Sequence, residues 1–341
     1  MYIPYKLALI FFLISLFLFY LIIKLNFYKS IKAVSEIQDI HIGNPSRLGG
    51  LLIYLLFSCY IFTYERQLTL FFFISLILIL PAILEDLRIN IKPYIRFLII
   101  MAASFLMILN FSILPQFDLG FLNAIFNNKI FQIIFFTLAL ATVVNGQNII
   151  DGTNGLSALT IISIFSCILY LGFHLQDQYY INIAIIINTL IFSFLIFNYP
   201  FGKIFLGDSG SYFLGFLGGF LAIDIFSKYP EIPSWSAVII LFYPTMEVIF
   251  SYFRKIIQKK SPFLPDNLHL HLKIYFLISY KQSNSRLFNA LVTPFLGVVW
   301  LSPLALLPFS LQYPHWALLI VFGLVAIYLF FYYSIPNPRS K

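Results

Sequence analysis

Two adjacent carboxylates, Glu85 and Asp86, end an apolar stretch in the segment LILPAILEDLRIN. Carboxylates suit Mg²⁺ and can act as general bases, so the pair has the chemistry for metal-assisted or acid–base catalysis. It can equally be a solvated helix end. Negative charge at a helix C-terminus is unfavourable, so the pair needs a bound cation or nearby basic residues, for which Arg88 and Lys92 are candidates. Taken alone, the pair leaves both interpretations open.

A second polar cluster lies in NGQNIIDGTNGLSAL. Asn145, Asn148 and Asp151 are three residues apart, which places them along one side if the preceding helix continues that far. The Asp-Gly-Thr-Asn-Gly sequence that follows, with Asn154, is typical of a turn. A helix end and a capping turn explain one of these polar residues, but not four in a chain this apolar. The cluster therefore predicts a functional site.

The segment FNYPFGKIFLGDSGSYFLG places Asp208 just before an apolar run. An aspartate there is a good helix N-cap, which is the structural alternative. A helix N-terminus surrounded by Gly207, Ser209 and Ser211, with Lys203 nearby, is also a ready anion site. Mg²⁺ prefers few carboxylates plus substrate phosphates, so a carboxylate beside an anion site suits an ion that bridges the protein to a pyrophosphate.

The segment SPFLPDNLHLHLKIY contains two of the five histidines, His269 and His271. Because Asp266 and Lys273 flank them in the most basic loop, we expect both to bind phosphate or sugar. A zinc site is the alternative, but no cysteine accompanies them and His-x-His alone is a weak signal. Glu247 lies inside an apolar run, where an ionisable group is a functional hypothesis by default.

The elements that position these residues follow from composition: 61% of the 341 residues are hydrophobic and only 10% are charged. A soluble domain carries about 25% charged residues, so lipid must be the main solvent. Apolar stretches of roughly 17–25 residues recur about eleven times, and lipid requires them to be helices. We predict an all-α polytopic membrane protein with about eleven transmembrane helices (10–11), forming one domain over residues 1–341. The predicted spans are 5–25, 48–64, 69–84, 93–114, 130–144, 156–175, 180–197, 211–226, 235–253, 287–309 and 316–333.

The distribution of basic residues predicts the orientation. With the N-terminus outside, on the periplasmic side, only Lys6, Arg66, Lys129 and Lys228 of the 21 basic residues fall outside. The C-terminus is then cytoplasmic, and all four polar clusters lie inside. The expected active-site loops are 26–47, 85–92, 145–155, 198–210 and 254–286. The net charge of +8 is attributed to the lipid bilayer, not to nucleic acid. Cys59 and Cys167 lie in apolar runs and predict neither a disulfide nor a metal site.

The four clusters, in this order and on one face, resemble the motifs of the polyprenyl-phosphate N-acetylhexosamine-1-phosphate transferase superfamily. That superfamily includes the bacterial undecaprenyl-phosphate GlcNAc-1-phosphate transferases and the phospho-MurNAc-pentapeptide translocases. The earlier NPSRLGG segment, residues 44–50, resembles the family's Pro-x-x-Gly-Gly stretch. Three positions depart from the family pattern: Glu85 stands where Asp is usual, Asn154 replaces an Asp, and Leu272 replaces the final His.

The resemblance implies transfer of a sugar-1-phosphate, an N-acetylhexosamine-1-phosphate, from a UDP-sugar to undecaprenyl phosphate, with release of UMP. That reaction would initiate a lipid-linked cell-envelope glycan such as O-antigen or lipopolysaccharide. It implies a Mg²⁺ cofactor (Mn²⁺ is the other candidate) and a homodimer. The implied metal ligands are Asp208 and Asp151, and Asp86, with Glu85 and Asp151, would serve catalysis by orienting or deprotonating the lipid phosphate. The implied substrate-binding residues are Asn145, Asn148, Asn154, Lys203, Phe205, His269 and His271. A transporter of anionic or lipid-linked substrates, or a non-catalytic polyprenyl-phosphate-binding homologue, remains an alternative.

Overall fold

The protein is built from helices in a computed structural model that describes residues 3–25, 45–87, 89–116, 123–262, 267–279 and 286–337. Over these residues there are α-helices, short 3-10 turns and one isolated parallel bridge between Ser46 and Ile204, but no strand. The prediction of an all-helical fold is confirmed. The helices are α1 (Ile3–Lys24), α2 (Gly49–Tyr64), α3 (Thr69–Asp86), α4 (Pro93–Ile108), α5 (Asn123–Phe126), α6 (Lys129–Ile149), α7 (Leu156–His174), α8 (Gln178–Asn198), α9 (Gly207–Lys228), α10 (Trp235–Ile240), α11 (Phe242–Ile257), α12 (Leu270–Ser279), α13 (Arg286–Phe295), α14 (Gly297–Gln312) and α15 (Ala317–Ser334).

Within the described ranges, eight helical segments are long and apolar enough to cross a membrane. The chain is therefore a multi-pass membrane protein. The helices α2 and α4 are also apolar but have only 16 residues each. The eight segments are Tyr5–Lys24, Arg66–Asp86, Lys129–Gly152, Leu156–His174, Gln178–Asn198, Gly207–Lys228, Leu287–Gln312 and Pro314–Ser334. The count of eleven crossings and the orientation of the termini stay predictions.

The predicted span 235–253 is not one helix, because α10 and α11 are separated at Leu241. Pro244 explains the break, since a proline lacks the N–H of the helical ladder and its ring clashes with the carbonyl four residues earlier. That carbonyl belongs to Ile240, the last residue of α10. Because of this interruption, α11 begins at Phe242, beside the end of α6.

Helix α9 lies at the centre of the bundle, with 94% of its membrane-spanning window buried inside the protein. It packs against α2, α3, α6 and α7. Small residues permit this close packing: a Cβ added to Gly215 would lie 2.9 Å from the Cβ of Gln147 on α6, and one added to Gly50 would lie 2.1 Å from the Cα of Gly210. Helices in lipid associate closely where such residues face each other.

The start of α2 is tied to the segment that precedes α9. The Phe205 N–H donates to the carbonyl of Ser46 at 2.8 Å, and the Gly49 N–H donates to the carbonyl of Phe205 at 3.1 Å. These bonds bring the residues just before α2 to the N-terminus of α9. The glycine pair predicted from the sequence, Gly49 and Gly50, therefore lies where backbones touch.

Candidate functional site

The carboxylate of Asp86, the last residue of α3, caps the N-terminus of α9. It accepts hydrogen bonds from the Asp208 N–H at 2.8 Å, the Ser209 N–H at 3.0 Å and the Ser209 hydroxyl at 2.6 Å. Asp86 is only 3% exposed. Gly207 has φ +78°, and a Cβ there would lie 2.5 Å from both Asp86 Oδ1 and the Arg47 carbonyl. An acidic side chain that is unfavourable at the end of its own helix is thus stabilised by the positive end of another helix.

The neighbouring Glu85 forms an ion pair with Arg96 of α4, with 3.3 Å between Oε1 and Nε. The expected partners were Arg88 and Lys92. Arg88 lies outside the described residues, and the basic partner that the structure provides for Glu85 is Arg96. The Glu85 side chain is 7% exposed, so the pair is largely shielded from solvent. Arg96 was not among the predicted site residues, although an ionisable residue one turn inside an apolar span is a signal of function.

Asn148, near the end of α6, joins the second and third sequence motifs. Its amide donates to Asp208 Oδ1 at 2.8 Å and to the Ser211 hydroxyl at 3.0 Å. Asn145, one turn earlier, instead donates to the carbonyl of Ala141 in its own helix at 2.8 Å. The expected line of polar side chains is therefore divided: Asn148 contacts Asp208, and Asn145 bonds back to α6.

Asp151 lies in the 3-10 turn that follows α6, Ile150–Gly152. Its carboxylate interacts with the side chain of Ser157 and electrostatically with Asp208, Asp86 and Arg47. Like charges gathered in this way repel unless a cation or basic group lies among them. Arg47, in the NPSRLGG segment, is one such group.

The carboxylates of Asp208 and Asp151 could bind Mg²⁺ together with a substrate phosphate. Over the described part of the chain, no group of three or more His, Cys, Asp or Glu residues is arranged to hold a metal by itself. Mg²⁺ needs no such cage, because it is usually bound by one or two carboxylates, waters and substrate phosphates. Asp208 and Asp151 can supply the carboxylates, and both are only partly buried. The site therefore fits an ion that is completed by a phosphate-bearing substrate.

Asn154 is a buried residue that is hydrogen-bonded to other segments of the protein. It is 4% exposed, its amide donates to the Pro200 carbonyl at 2.9 Å, and its N–H donates to Asn289 Oδ1 at 2.6 Å. The Thr293 hydroxyl donates to the Asn154 carbonyl at 2.7 Å. The polar contacts observed for Asn154 thus join three segments of the protein. The expected contact with a nucleotide stays a prediction, and a ligand would have to reach a side chain that this structure buries.

Asn198 also joins separate segments through hydrogen bonds, next to Asn154. Its Oδ1 accepts from the Gly155 N–H at 2.7 Å, and its amide donates to the Ile204 carbonyl at 2.8 Å. Neither Asn198 nor Asn289 was among the predicted site residues, although Asn198 stands at the start of the third motif. Of the predicted ligands in this segment, Lys203 is exposed and Phe205 is half-buried, so neither side chain is closed off from solvent.

The two histidines lie close to the second motif. Their rings are stacked, with centroids 5.9 Å apart and planes at 17°. A Cβ added to Gly152 would lie 2.9 Å from His271 Nε2, so the ring packs against the turn that carries Asp151. Burial lowers the pKa of His271 to about 4, aided by His269 and opposed by Glu247, so this imidazole is neutral at neutral pH.

The residues around the histidines have structural partners. Glu247 Oε2 lies 3.1 Å from His269 Nδ1. Lys273 is 2% exposed and donates to the Tyr332 carbonyl at 2.7 Å, near the end of α15. Asp266 lies outside the described residues. The zinc alternative gains no support among the described side chains, because no third ligand joins the two histidines in a metal-binding group.

The fold and the site together define a multi-pass membrane protein whose carboxylates, amides and histidines gather at one end of a helical bundle. Comparison with known proteins agrees: the Glycosyl transferase family 4 model matches residues 68–226. The chain belongs to the polyprenyl-phosphate N-acetylhexosamine-1-phosphate transferase superfamily, which confirms the resemblance seen in the motifs.

Three relatives illustrate the similarity. A probable undecaprenyl-phosphate N-acetylglucosaminyl 1-phosphate transferase from Bacillus subtilis is 26% identical over 72% of this chain and 70% of its own length. An undecaprenyl-phosphate alpha-N-acetylglucosaminyl 1-phosphate transferase from Thermotoga maritima is 31% identical over 66% of each chain. A phospho-N-acetylmuramoyl-pentapeptide-transferase from Dictyoglomus turgidum is 29% identical over 77% of this chain and 88% of its own length.

Proposed function

We propose that this protein transfers an N-acetylhexosamine-1-phosphate from a UDP-sugar to undecaprenyl phosphate and releases UMP. The observation that carries the proposal is the network at the N-terminus of α9. There Asp86 and Asn148, from two different motifs, both bond to Asp208. Motifs far apart in sequence thus meet at one helix N-terminus, where the Asp208 carboxylate could hold Mg²⁺ against a substrate phosphate. The names of the relatives support the same general reaction.

In the proposed reaction, an oxygen of the lipid phosphate attacks the β-phosphorus of the UDP-sugar. The bond from that phosphorus to the oxygen bridging the two phosphates breaks, and UMP leaves with the bond's electrons. The product is a sugar linked to the lipid by a diphosphate. Mg²⁺, when bound, supplies positive charge that stabilises the developing charge on the phosphate oxygens.

The residues of the chain hold and orient the reactants. Asp208 and Asp151 would supply the metal carboxylates, and Asn148 fixes the position of Asp208. Asp86, held by three hydrogen bonds from the α9 N-terminus, would orient or deprotonate the lipid phosphate. His269, His271 and Lys203 would contact the diphosphate or the sugar, and Phe205 the base.

The proposed location is a bacterial inner membrane with the site facing the cytoplasm, where nucleotide-activated sugars are made. The basic residues assigned to the inside loops support this orientation. The product would begin a cell-envelope glycan, and lipopolysaccharide or O-antigen is the pathway we propose. The name of the Dictyoglomus relative makes the peptidoglycan precursor the competing substrate.

The test is an assay of the purified protein in detergent with undecaprenyl phosphate and Mg²⁺. The donors are UDP-N-acetylglucosamine, UDP-N-acetylgalactosamine and UDP-N-acetylmuramoyl-pentapeptide. We expect UMP release and a lipid-linked sugar with one of the two simple sugars. Product from the pentapeptide donor alone would replace the glycan assignment with the peptidoglycan one. Absence of UMP with all three donors would contradict the proposed reaction and favour a transporter or a binding homologue.

A further inference from the structure

Glu247 is a buried carboxylate whose partners belong to the histidine segment. It is 1% exposed and lies on α11, 22 residues before His269. Its Oε2 is 3.1 Å from His269 Nδ1, and its Oε1 accepts from the Leu270 N–H at 3.3 Å. A carboxylate taken out of water is costly unless it is paired and hydrogen-bonded. Glu247 is therefore held in place by the segment that carries both histidines.

Helix α11 meets α6 backbone to backbone near the site. A Cβ added to Gly146 on α6 would lie 2.0 Å from the Pro244 carbonyl oxygen on α11. Pro244 is three residues before Glu247, and Gly146 is two residues before Asn148. The contact sets the distance between α11 and the helix that carries Asn148. Helix α11 also sets the position of the histidine segment, through the contacts of Glu247.

The groups around Glu247 and His269 indicate which of the two carries the proton. The Leu270 N–H donates to the carboxylate, which stabilises its ionised form, and an ionised carboxylate can only accept. His269 Nδ1 must then carry the proton that lies between them. The hydroxyls of Tyr243 and Tyr328 interact with Glu247 electrostatically, although neither makes a hydrogen bond of standard geometry. Apolar and aromatic side chains fill the rest of the interior around the pair.

We propose that Glu247 is a positioning residue for the proposed sugar-phosphate transfer, and so this inference rests on the proposed function. By accepting the Nδ1 proton of His269, Glu247 fixes the tautomer and the rotation of that imidazole. His271 stacks against the oriented ring and reaches the turn of Asp151. Glu247 contacts no substrate itself. It acts through the histidines, which meet the diphosphate of the nucleotide sugar.

A double-mutant cycle tests the coupling between the two residues. Glu247→Gln keeps the size of the side chain but can present an amide to Nδ1, which favours the other tautomer. We expect it to lower kcat/KM for UMP release by roughly 10- to 100-fold, as loss of an orienting partner does. We expect His269→Ala to cost at least as much, and the double variant to be no worse than His269→Ala. Glu65→Gln, at the opposite end of the bundle, is the matched control and should retain wild-type kcat/KM. Losses that multiply in the double variant, or wild-type kcat/KM in Glu247→Gln, would overturn the proposal.

The tautomer gives a second readout that needs neither catalysis nor a stable Glu247→Gln variant. In wild-type protein carrying ¹⁵N-labelled histidine, the nitrogen shifts of His269, assigned by comparison with His269→Ala, should show a protonated Nδ1. A deprotonated Nδ1 in the wild type would overturn the proposal even if Glu247→Gln fails to fold. If the wild type releases no UMP, the proposed function fails while this measurement still decides whether Glu247 holds His269. The two failures are therefore distinguishable.

Discussion

At the scale of single residues, Asp86 and Asp208 have different environments although both are aspartates at helix ends. Asp86 is buried, and its two carboxylate oxygens accept hydrogen bonds from three donors of α9. Asp208 is partly buried, and its Oδ1 accepts from Asn148. The first environment is that of a cap supplied by another helix, and the second leaves a carboxylate able to face a cation.

The two aspartates should therefore respond differently to the same substitution. We expect Asp208→Asn to lower UMP release by roughly 100-fold or more, because a metal carboxylate is lost, while thermal unfolding in detergent changes little. Asp86→Asn should instead lower the free energy of unfolding by about 1–2 kcal/mol, because an amide replaces an oxygen that accepts from Ser209. Turnover over a Mg²⁺ titration and thermal unfolding measure the two effects. Near-normal turnover of Asp208→Asn at limiting Mg²⁺ would mean that Asp208 is only a helix-end residue.

At the scale of elements, the end of the bundle opposite the site is joined by Asp177. This residue is the N-cap of α8 and accepts from the Tyr179 N–H at 3.0 Å. It also accepts from Lys228 Nζ at 2.6 Å and from the Tyr229 hydroxyl at 2.6 Å, at the end of α9. An acid at one helix N-terminus and a base at the other helix C-terminus complement both helix dipoles. The central helix is thus anchored by carboxylates at both ends, Asp86 at the site and Asp177 at the other.

The Asp177 contacts predict a pH dependence of stability. Burial opposes ionisation of Asp177, but the hydrogen bonds from Lys228 and Tyr229 outweigh it and hold the pKa below the ordinary value of 3.8. A carboxylate with a lowered folded-state pKa stabilises the fold above its unfolded pKa, and this contribution is lost as the pH falls through the folded pKa. Solvent screens the pair, so Asp177→Asn should cost only about 0.5 kcal/mol at neutral pH.

Unfolding of wild type and Asp177→Asn, compared from neutral to strongly acidic pH, measures this contribution. The difference should be constant above the ordinary pKa and vanish well below it. Asp177→Ala should cost about 1 kcal/mol more, because it also removes the N-cap. Glu231→Gln, an exposed carboxylate at the same end, is the control and should match the wild type throughout. A difference that grows on acidification would contradict the assigned direction of the shift.

At the scale of the whole molecule, the candidate site residues lie at one end of the helical bundle. The ends of α3, α6 and α8 and the starts of α2, α7 and α9 carry the site, which agrees with the predicted alternation of spans. The same alternation assigns seventeen of the 21 basic residues to that side. The predicted topology would account for both the placement of the site and the distribution of charge.

Reporter fusions test this topology. Fused after Lys341, a reporter that is active only in the cytoplasm should be active, and one that needs the periplasm should be silent, because the basic loops hold that side inside. The same reporters inserted beside Arg66, in a loop predicted outside, should give the reverse pattern and serve as the control. Periplasmic activity after Lys341 would reverse the orientation and remove the cytoplasmic assignment of the site.

The sequence by itself determined the helical membrane fold and the family. Each of the eleven predicted apolar stretches is largely covered by a helix or by consecutive helices, although α4 ends six residues before its predicted stretch does. The reason is that lipid leaves a backbone no partner outside its own segment. That rule is local, so it can be applied to a single stretch of sequence. The four motifs were likewise visible as clusters of polar residues in an apolar chain. Asp86, Asn148 and Asp208 were expected to share a site, and Asp208 is hydrogen-bonded to both of the others.

Only the tertiary structure decided which polar groups serve as partners. Asp86 binds donors more than 120 residues away, Asn154 bonds to Pro200 and Asn289, and Glu247 pairs with His269. The pairing of Glu85 with Arg96 in place of Arg88 or Lys92 was decided in the same way. A hydrogen bond forms only at about 3 Å and with correct direction. Such distances depend on how helices cross at glycines such as Gly50 and Gly146, which local sequence patterns do not specify.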